Sequence, residues 1–308
     1  EELLQYAGRC GLPLPEREAQ ALLSVSEGWI AMIYLMFRAY AQTGVWRFDA
    51  KGMDALMEQV MFEPLDERRR FFLLDLCMAE AFTAEQAAFV WREPDADALL
   101  HDLTHNNAFI IESSPGVYRC HHMLKDCAAL AFQKLPEETR TLYYNRYGQW
   151  FETHGMLLHA LYAYRNGKNY DALLRVTQKD AGILLCSLPP DSVLSTLAEC
   201  PEKTLRAHPA ALLVLMRCMF NWNRVPEMQK LKQQLLAAVD EHPEWGTEER
   251  GNLLAECDLL QSFLYYNDID AMSRMYLSAS ARLIRPDTNI CPADGWTFGS
   301  PSVLVMFH

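Results

Sequence analysis

The segment "GVYRCHHMLKD" (116–126) and the residue after it concentrate side chains that could do chemistry. A thiol, two imidazoles, a carboxylate and a second thiol lie within eight positions: Cys120, His121, His122, Asp126 and Cys127. This combination could coordinate a metal ion, or it could pair a nucleophile with its base. The cluster could also be purely structural. The secondary-structure elements that carry these residues decide between the three interpretations.

A zinc site needs three or four ligands that converge with tetrahedral geometry. Consecutive residues of a strand point to opposite faces, which separates His121 from Cys120 and His122. A helix that starts near His122 would bring only Asp126 onto the same face. Two further histidines, spaced for one helix face, could complete such a site: His101 and His105. A zinc enzyme built on Cys120, His121 and His122 is therefore one alternative.

A cysteine–histidine nucleophile would also need an oxyanion hole and an open cleft. The third interpretation is structural. It places Cys120 and Leu124 in a core, Asp126 in solvent, and the histidines in polar gaps.

Composition narrows the class of protein. Half of the 308 residues are apolar, 22% are charged, and the net charge is −12. The densest basic cluster, 68–70, follows Asp66 and Glu67, which argues against a nucleic-acid-binding face in this segment. The longest apolar run, 28–37, is too short to span a bilayer. We expect no membrane association.

Cysteine usage indicates the compartment. The chain has nine cysteines, an odd number, and no CxxC pair. Most of them lie within apolar helical patterns, which is typical of reduced, buried thiols. We therefore expect a cytoplasmic protein.

Apolar periodicity predicts helices almost throughout. Residues 15–42 form two packed helices that are interrupted at Gly28. Three helices, including one over 66–82 and one that begins at Thr83, precede two β-rich runs around a Ser-Pro-Gly turn, 108–121. A closing helix follows. This order predicts a winged-helix domain at 54–135.

From Pro136 onward the pattern becomes one of repeated helical hairpins. Each turn has a small or Asn residue followed five positions later by an apolar helix residue. The pairs are Gly167 with Ala172, Asn223 with Met228, and Asn267 with Met272.

Catalytic motifs are missing from the sequence. It contains no GxxxxGK[ST] phosphate loop, no GxGxxG, no GxSxG and no HExxH. It starts without Met and ends in an apolar run after a Pro/Gly-rich stretch, so we expect a non-catalytic fragment of a longer protein.

The order of segments resembles the middle of a MalT-like, LuxR-type transcriptional regulator of the STAND class of signal-transduction ATPases. "LPLPEREAQALLSVSEGWIAMIYLM" is similar to the family's helical lid, with its (T/S)EGW element at Ser26–Trp29. "FFLLDLCMAEAFTAEQAAFVW" through "VYRCHHMLKDCAALAF" resembles its winged helix. "RYGQWFETHGMLLHALYAYRNGKNYDALLRV" resembles the link into its helical repeats.

This resemblance implies a mostly α fold. It has a helical lid (1–53), a winged-helix domain with one β-hairpin (54–135), and a right-handed superhelix of tetratricopeptide-like repeats that acts as a sensor (136–308). In such regulators a preceding ATPase core binds ATP or ADP, and a C-terminal helix-turn-helix binds DNA. The fragment itself would hold no cofactor. Its partners would be its own ATPase core and an inducer, either a small molecule or a protein, with self-association on activation.

The resemblance also implies a role for His121. "VYRCHHMLKD" is similar to the family's MHD-type element, whose histidine approaches the β-phosphate of ADP and locks the inactive state. An imidazole can donate a hydrogen bond to a phosphate and titrates near neutrality. His122 departs from the acid that other STAND proteins carry there.

Trp29 is expected to be a core residue of the lid. The rival function is a stand-alone helical-repeat scaffold without a nucleotide link.

Overall fold

The computed structural model describes residues 2–26, 28, 30–46, 65–106, 110–179, 183–186, 188–284 and 289–290. The chain divides into two compact units, Glu1–Tyr143 and Tyr144–His308. The predicted boundary at 53/54 lies outside the described residues. Within them, no helix is long and apolar enough to cross a membrane.

Three helices open the first unit. They are α1 (Glu2–Arg9), α2 (Glu16–Ser26) and α3 (Ile30–Thr43), and α2 packs against both of its neighbours. Gly28, with a φ of 77°, lies between α2 and α3 in a left-handed conformation that suits glycine. The predicted interruption at Gly28 is therefore confirmed. Trp29 lies outside the described residues.

Four helices and three strands follow in the order of a winged helix. They are α4 (Glu67–Leu76), β1 (Phe82–Thr83), α5 (Ala84–Trp91), α6 (Ala96–Asn106), β2 (Ile110–Ser114), β3 (Val117–Cys120) and α7 (His122–Gln133). Helix α4 packs against α5, α6 and α7. Its buried apolar residues form the centre of this domain: Phe72, Leu73, Leu74 and Leu76.

The predicted hairpin is present as β2 and β3, which pair antiparallel with Ile110 opposite Cys120. Gly116 turns the chain with a φ of 75°, and its N–H donates to Glu112 Oε1 at 2.7 Å. The sheet order is β1-β3-β2. Strand β1 was not predicted, because a two-residue strand is too short to show an alternating pattern.

The predicted helix over 66–82 is too long. Helix α4 ends at Leu76, and Cys77 forms its C-cap. The chain then has to reach β1, where Phe82 pairs with Tyr118 of β3, and this sheet pairing stops the helix from continuing. The next helix begins as predicted, since Thr83 Oγ1 accepts a hydrogen bond from Gln86 N at 3.1 Å.

Helix α8 (Glu137–Thr153) contains the division between the two units, and the second unit continues with helical pairs. The elements are α9 (Leu157–Asn166), α10 (Tyr170–Gln178), α11 (Ile183–Cys186), α12 (Pro190–Glu199), α13 (Glu202–Arg206), α14 (Pro209–Asn221), α15 (Val225–Glu241), α16 (Thr247–Ser262), a 3₁₀ turn (Phe263–Tyr265) and α17 (Ile269–Arg282). Sequential pairs pack together, and α14 also packs against α10 and α16. The predicted fold class, a winged helix followed by superhelically packed helices, is confirmed.

Two of the three predicted repeat turns share one geometry, whereas at the third, Asn267, Asp268 donates its N–H to Tyr265, three residues earlier. Lys168 and Asn223 both adopt positive φ, at 51° and 55°. The residue after each donates its N–H to a carbonyl five residues earlier, Asn169 to Tyr164 and Arg224 to Met219. This is the Schellman helix ending. Lys168, rather than the predicted Gly167, is therefore the structural equivalent of Asn223.

Candidate functional site

His121 occupies the N-cap of α7, between the end of β3 and the first helical turn. Its backbone is extended, with φ −58° and ψ 143°, and its carbonyl accepts the N–H of Lys125 at 3.0 Å. The side chain is half-buried, whereas His122 is exposed, and their ring centroids are 4.3 Å apart. The predicted helix start at His122 is confirmed.

Position at a helix N-terminus gives His121 a definite electrostatic setting. The first-turn N–H groups of a helix have no partner within that helix, and the helix dipole makes this end positive. The His121 side chain makes no capping hydrogen bond to these groups. The surroundings of His121 therefore favour an anion, and a phosphate is the common ligand at such a site.

The residue before His121 is anchored in the core. Cys120 is buried at the end of β3, and its Sγ lies 3.3 Å from Cys77 Sγ. Burial raises the pKa of the Cys77 thiol well above its ordinary value, and the hydrogen bond with Cys120 acts in the same direction. Cys77 is therefore a neutral thiol at physiological pH and a poor nucleophile. The β3–α7 junction, and with it the backbone of His121, is fixed by core packing.

The other members of the cluster do not converge. Leu124 and Cys127 are buried, while Asp126 is exposed. His101 and His105 stack on each other at 4.3 Å on the exposed face of α6. In the part of the chain that the structure describes, no three His, Cys, Asp or Glu side chains lie close enough together to hold a metal ion.

A second candidate site lies within the second unit, where α9, α10, α11, α12 and α14 surround an apolar groove. Its space is about 440 Å³, part of it open to solvent. Its apolar walls come from seven leucine and valine residues and an aromatic ring: Leu161, Leu173, Leu185, Leu188, Val193, Leu197, Leu215 and Tyr162. Its concave shape and apolar walls are features of small-molecule sites.

Polar groups in the groove are few. The hydroxyls of Thr177 and Thr196 donate to carbonyls of their own helices, at 2.9 and 2.8 Å. Arg165, in the last turn of α9, is the one charged residue among the described lining residues. Its guanidinium donates to Ser192 Oγ at 2.8 Å and to Ser195 Oγ at 2.9 Å.

The sequence predicted His121 as a site residue, but it did not predict this groove. The position of Tyr162 at the edge of the groove was not predicted. The lining residues are spread over 161–215 and have no local motif. Only the packing of the helices brings them together, so no sequence pattern could have identified them.

Comparisons with known proteins agree with the architecture. Residues 57–140 match the family described as the MalT winged helix domain. The HTH-type transcriptional regulator AlkS of Pseudomonas putida is 22% identical over 252 residues, which are 78% of this chain and 27% of AlkS. The chain thus spans about a quarter of the length of this curated relative. No solved structure matches. The predicted resemblance to MalT-like transcriptional regulators is confirmed.

Proposed function

We propose that this chain is the regulatory region of a MalT-like transcription regulator, in which inducer binding to the helical repeats controls a nucleotide-dependent switch. The match of residues 57–140 to the MalT winged helix domain carries this proposal. The similarity to AlkS supports it, because it extends over 78% of the chain and includes more than the winged helix.

In this proposal, His121 senses the nucleotide. An ATPase core elsewhere in the longer protein binds ADP, and the winged helix presents the His121 imidazole to a phosphate. The location of His121 at the N-terminus of α7 supports this role, because the imidazole and the helix dipole act on the same anion. The core packing of Cys120 supports it further, since a sensor must be held in a fixed position.

The helical repeats receive the inducer in the groove between α9, α10, α11, α12 and α14. Its apolar walls and single charged residue are typical of a small-molecule site. The inducer shifts the protein from an ADP-bound closed state to an ATP-bound state that self-associates and activates transcription. To do so it must bind the open state more tightly than the closed one, by a few kcal/mol.

The proposal is tested by measuring ADP affinity of the full-length protein by isothermal titration calorimetry. His121→Ala removes the imidazole at the N-cap of α7 and should weaken ADP binding about tenfold, because a hydrogen bond to a charged group contributes about 1.5–3 kcal/mol.

His122→Ala is the matched control, since this exposed neighbour carries the same side chain. It should change the ADP dissociation constant by less than about threefold. Equal ADP affinity of the wild-type protein and both variants would show that His121 does not sense the nucleotide. A full-length protein that binds neither ADP nor ATP would contradict the proposed function as a whole.

A further inference from the structure

We propose that the groove of the helical repeats binds an apolar molecule that ends in a carboxylate, with the carboxylate on Arg165. This inference rests on the proposed function, because it names the chemical class of the inducer. The observation behind it is a cationic side chain at the edge of an otherwise apolar groove.

The interior of the groove selects for an apolar ligand body. Leu173, Leu185 and Val193 are buried in the wall, and Leu215 closes it from α14. The hydroxyls of Thr177 and Thr196 are already engaged by backbone carbonyls, so they offer no donor to a polar ligand. A hydrocarbon chain would replace water there without losing a hydrogen bond.

The guanidinium of Arg165 selects for an anionic end. Its hydrogen bonds go to the neutral hydroxyls of Ser192 and Ser195, and no carboxylate of the described residues forms an ion pair with it. Two other arginines of this unit differ, because Arg175 pairs with Glu152 and Arg282 pairs with Asp258. Arg165 therefore keeps a positive charge without a countercharge among the described residues.

The two serines hold the guanidinium in place for a ligand. Ser192 and Ser195 lie on α12, opposite Arg165 on α9, and each binds a different terminal nitrogen of the guanidinium. An arginine fixed in this way loses little further side-chain freedom when it binds a carboxylate. A carboxylate accepts two parallel N–H bonds from an arginine, which makes it a better partner than a neutral hydroxyl.

The neighbouring carboxylate does not occupy this position. Asp191 adjoins Ser192 in the chain, but it pairs with Arg224 at 3.1 Å. Its side chain is 89% exposed, so solvent screens its effect on a ligand in the groove. The charge that a ligand meets at the groove is therefore that of Arg165.

Calorimetric titration of the 308-residue chain with octanoate and with 1-octanol tests the inference, because the two ligands share a chain length and differ in charge. Octanoate should bind at least about tenfold more tightly, from the charge-assisted hydrogen bonds to Arg165. Equal affinities, or no binding of either ligand, would overturn the proposal.

Three variants locate the site. Arg165→Gln should abolish the preference for octanoate and leave the affinity for 1-octanol unchanged, which also shows that the variant is folded. Tyr162→Ala removes an exposed part of the wall and should weaken both ligands. Arg274→Gln, on the exposed surface of α17 and away from the groove, is the control for net charge and should affect neither.

An Arg165→Gln variant that still binds octanoate more tightly than 1-octanol would overturn the assignment to Arg165. These results are independent of the ADP measurement on the full-length protein. If the wild-type chain does not prefer octanoate but His121→Ala weakens ADP binding as expected, only the ligand class is rejected. If the wild-type chain prefers octanoate but His121→Ala leaves ADP affinity unchanged, the groove remains a carboxylate site and the nucleotide switch is rejected.

Discussion

The ring of Tyr164 in α9 lies so close to Gly148 in α8 that a Cβ at position 148 would be 2.5 Å from Tyr164 Cε1. Tyr164 is almost fully buried, and its hydroxyl donates to Glu152 Oε2 at 2.6 Å. Burial raises the pKa of Glu152, but hydrogen bonds from Arg175 of α10, from Lys179 and from Tyr164 outweigh this effect and lower it to about 2. Glu152 of α8 thus joins α9, through Tyr164, to α10, through Arg175.

Gly148→Ala should destabilise the second unit by about 1–3 kcal/mol, because the added methyl group overlaps a buried ring that has no room to move. Chemical denaturation followed by circular dichroism measures this change. The control is Gly251→Ala in α16, where a Cβ meets its nearest atom at an ordinary 3.4 Å. That variant should be neutral or slightly stabilising, since alanine favours helix.

The same contact predicts that Gly148→Ala and Tyr164→Leu are not additive. Once the ring is removed, the alanine no longer overlaps it, so the double variant should lose less stability than the sum of the two single variants. Additive losses would mean that the overlap with Tyr164 is not the reason glycine is required.

A second prediction concerns Glu256 in α16, whose side chain is 1% exposed. Burial raises its pKa from 4.5 to about 7, although Asn289 and Ile290 oppose this shift by hydrogen bonding to the carboxylate. The folded pKa lies above the unfolded value. Stability from the neutral group is therefore complete below pH 4.5 and is lost as pH rises toward 7.

Glu256→Gln should remove this pH dependence, because glutamine stays neutral and can still accept from Asn289. Relative to the wild-type chain, the variant should gain on the order of 3 kcal/mol of unfolding free energy between pH 4.5 and pH 8. Denaturation at both pH values measures the difference. Glu249→Gln, at an exposed position of the same helix, should show no such change. A parallel pH response of wild type and Glu256→Gln would exclude burial of a titrating carboxyl.

A third prediction concerns the helix ending at Lys168, which has a φ of 51°. A left-handed conformation costs a non-glycine residue about 1–2 kcal/mol, and glycine loses about 0.5–1 kcal/mol through its freedom in the unfolded chain. Lys168→Gly should therefore stabilise the second unit by about 0.5–1 kcal/mol, measured by urea denaturation. Asn223→Gly should gain less, since asparagine tolerates this conformation. Destabilisation by Lys168→Gly would indicate that the lysine side chain contributes more than its backbone costs.

Local chemistry made parts of the fold predictable from sequence. The hairpin followed from the Ser-Pro-Gly turn, the start of α5 from Thr83, and the helix break from Gly28. Each of these is decided by a few adjacent residues, such as the side chain of Thr83 and the N–H of Gln86.

Features that depend on distant residues were not predictable. The end of α4 at Leu76 is set by the pairing of Phe82 with Tyr118, which are far apart in the chain. The groove requires five helices, and Arg165 alone looks like an ordinary charge near a helix C-terminus. His121 could be singled out only through the resemblance to a family. Its position at a helix N-terminus has a functional consequence only when an anion lies beside it.

The measurement that tests the central claim most directly is sedimentation velocity of the full-length protein in the presence of ADP. The wild-type protein should sediment as a small species with ADP and as a larger assembly with ATP. His121→Ala should form the larger assembly even with ADP, and His122→Ala should behave as the wild type. If His121→Ala sediments like the wild-type protein in both nucleotides, the winged helix does not couple the nucleotide to assembly, and the account is contradicted.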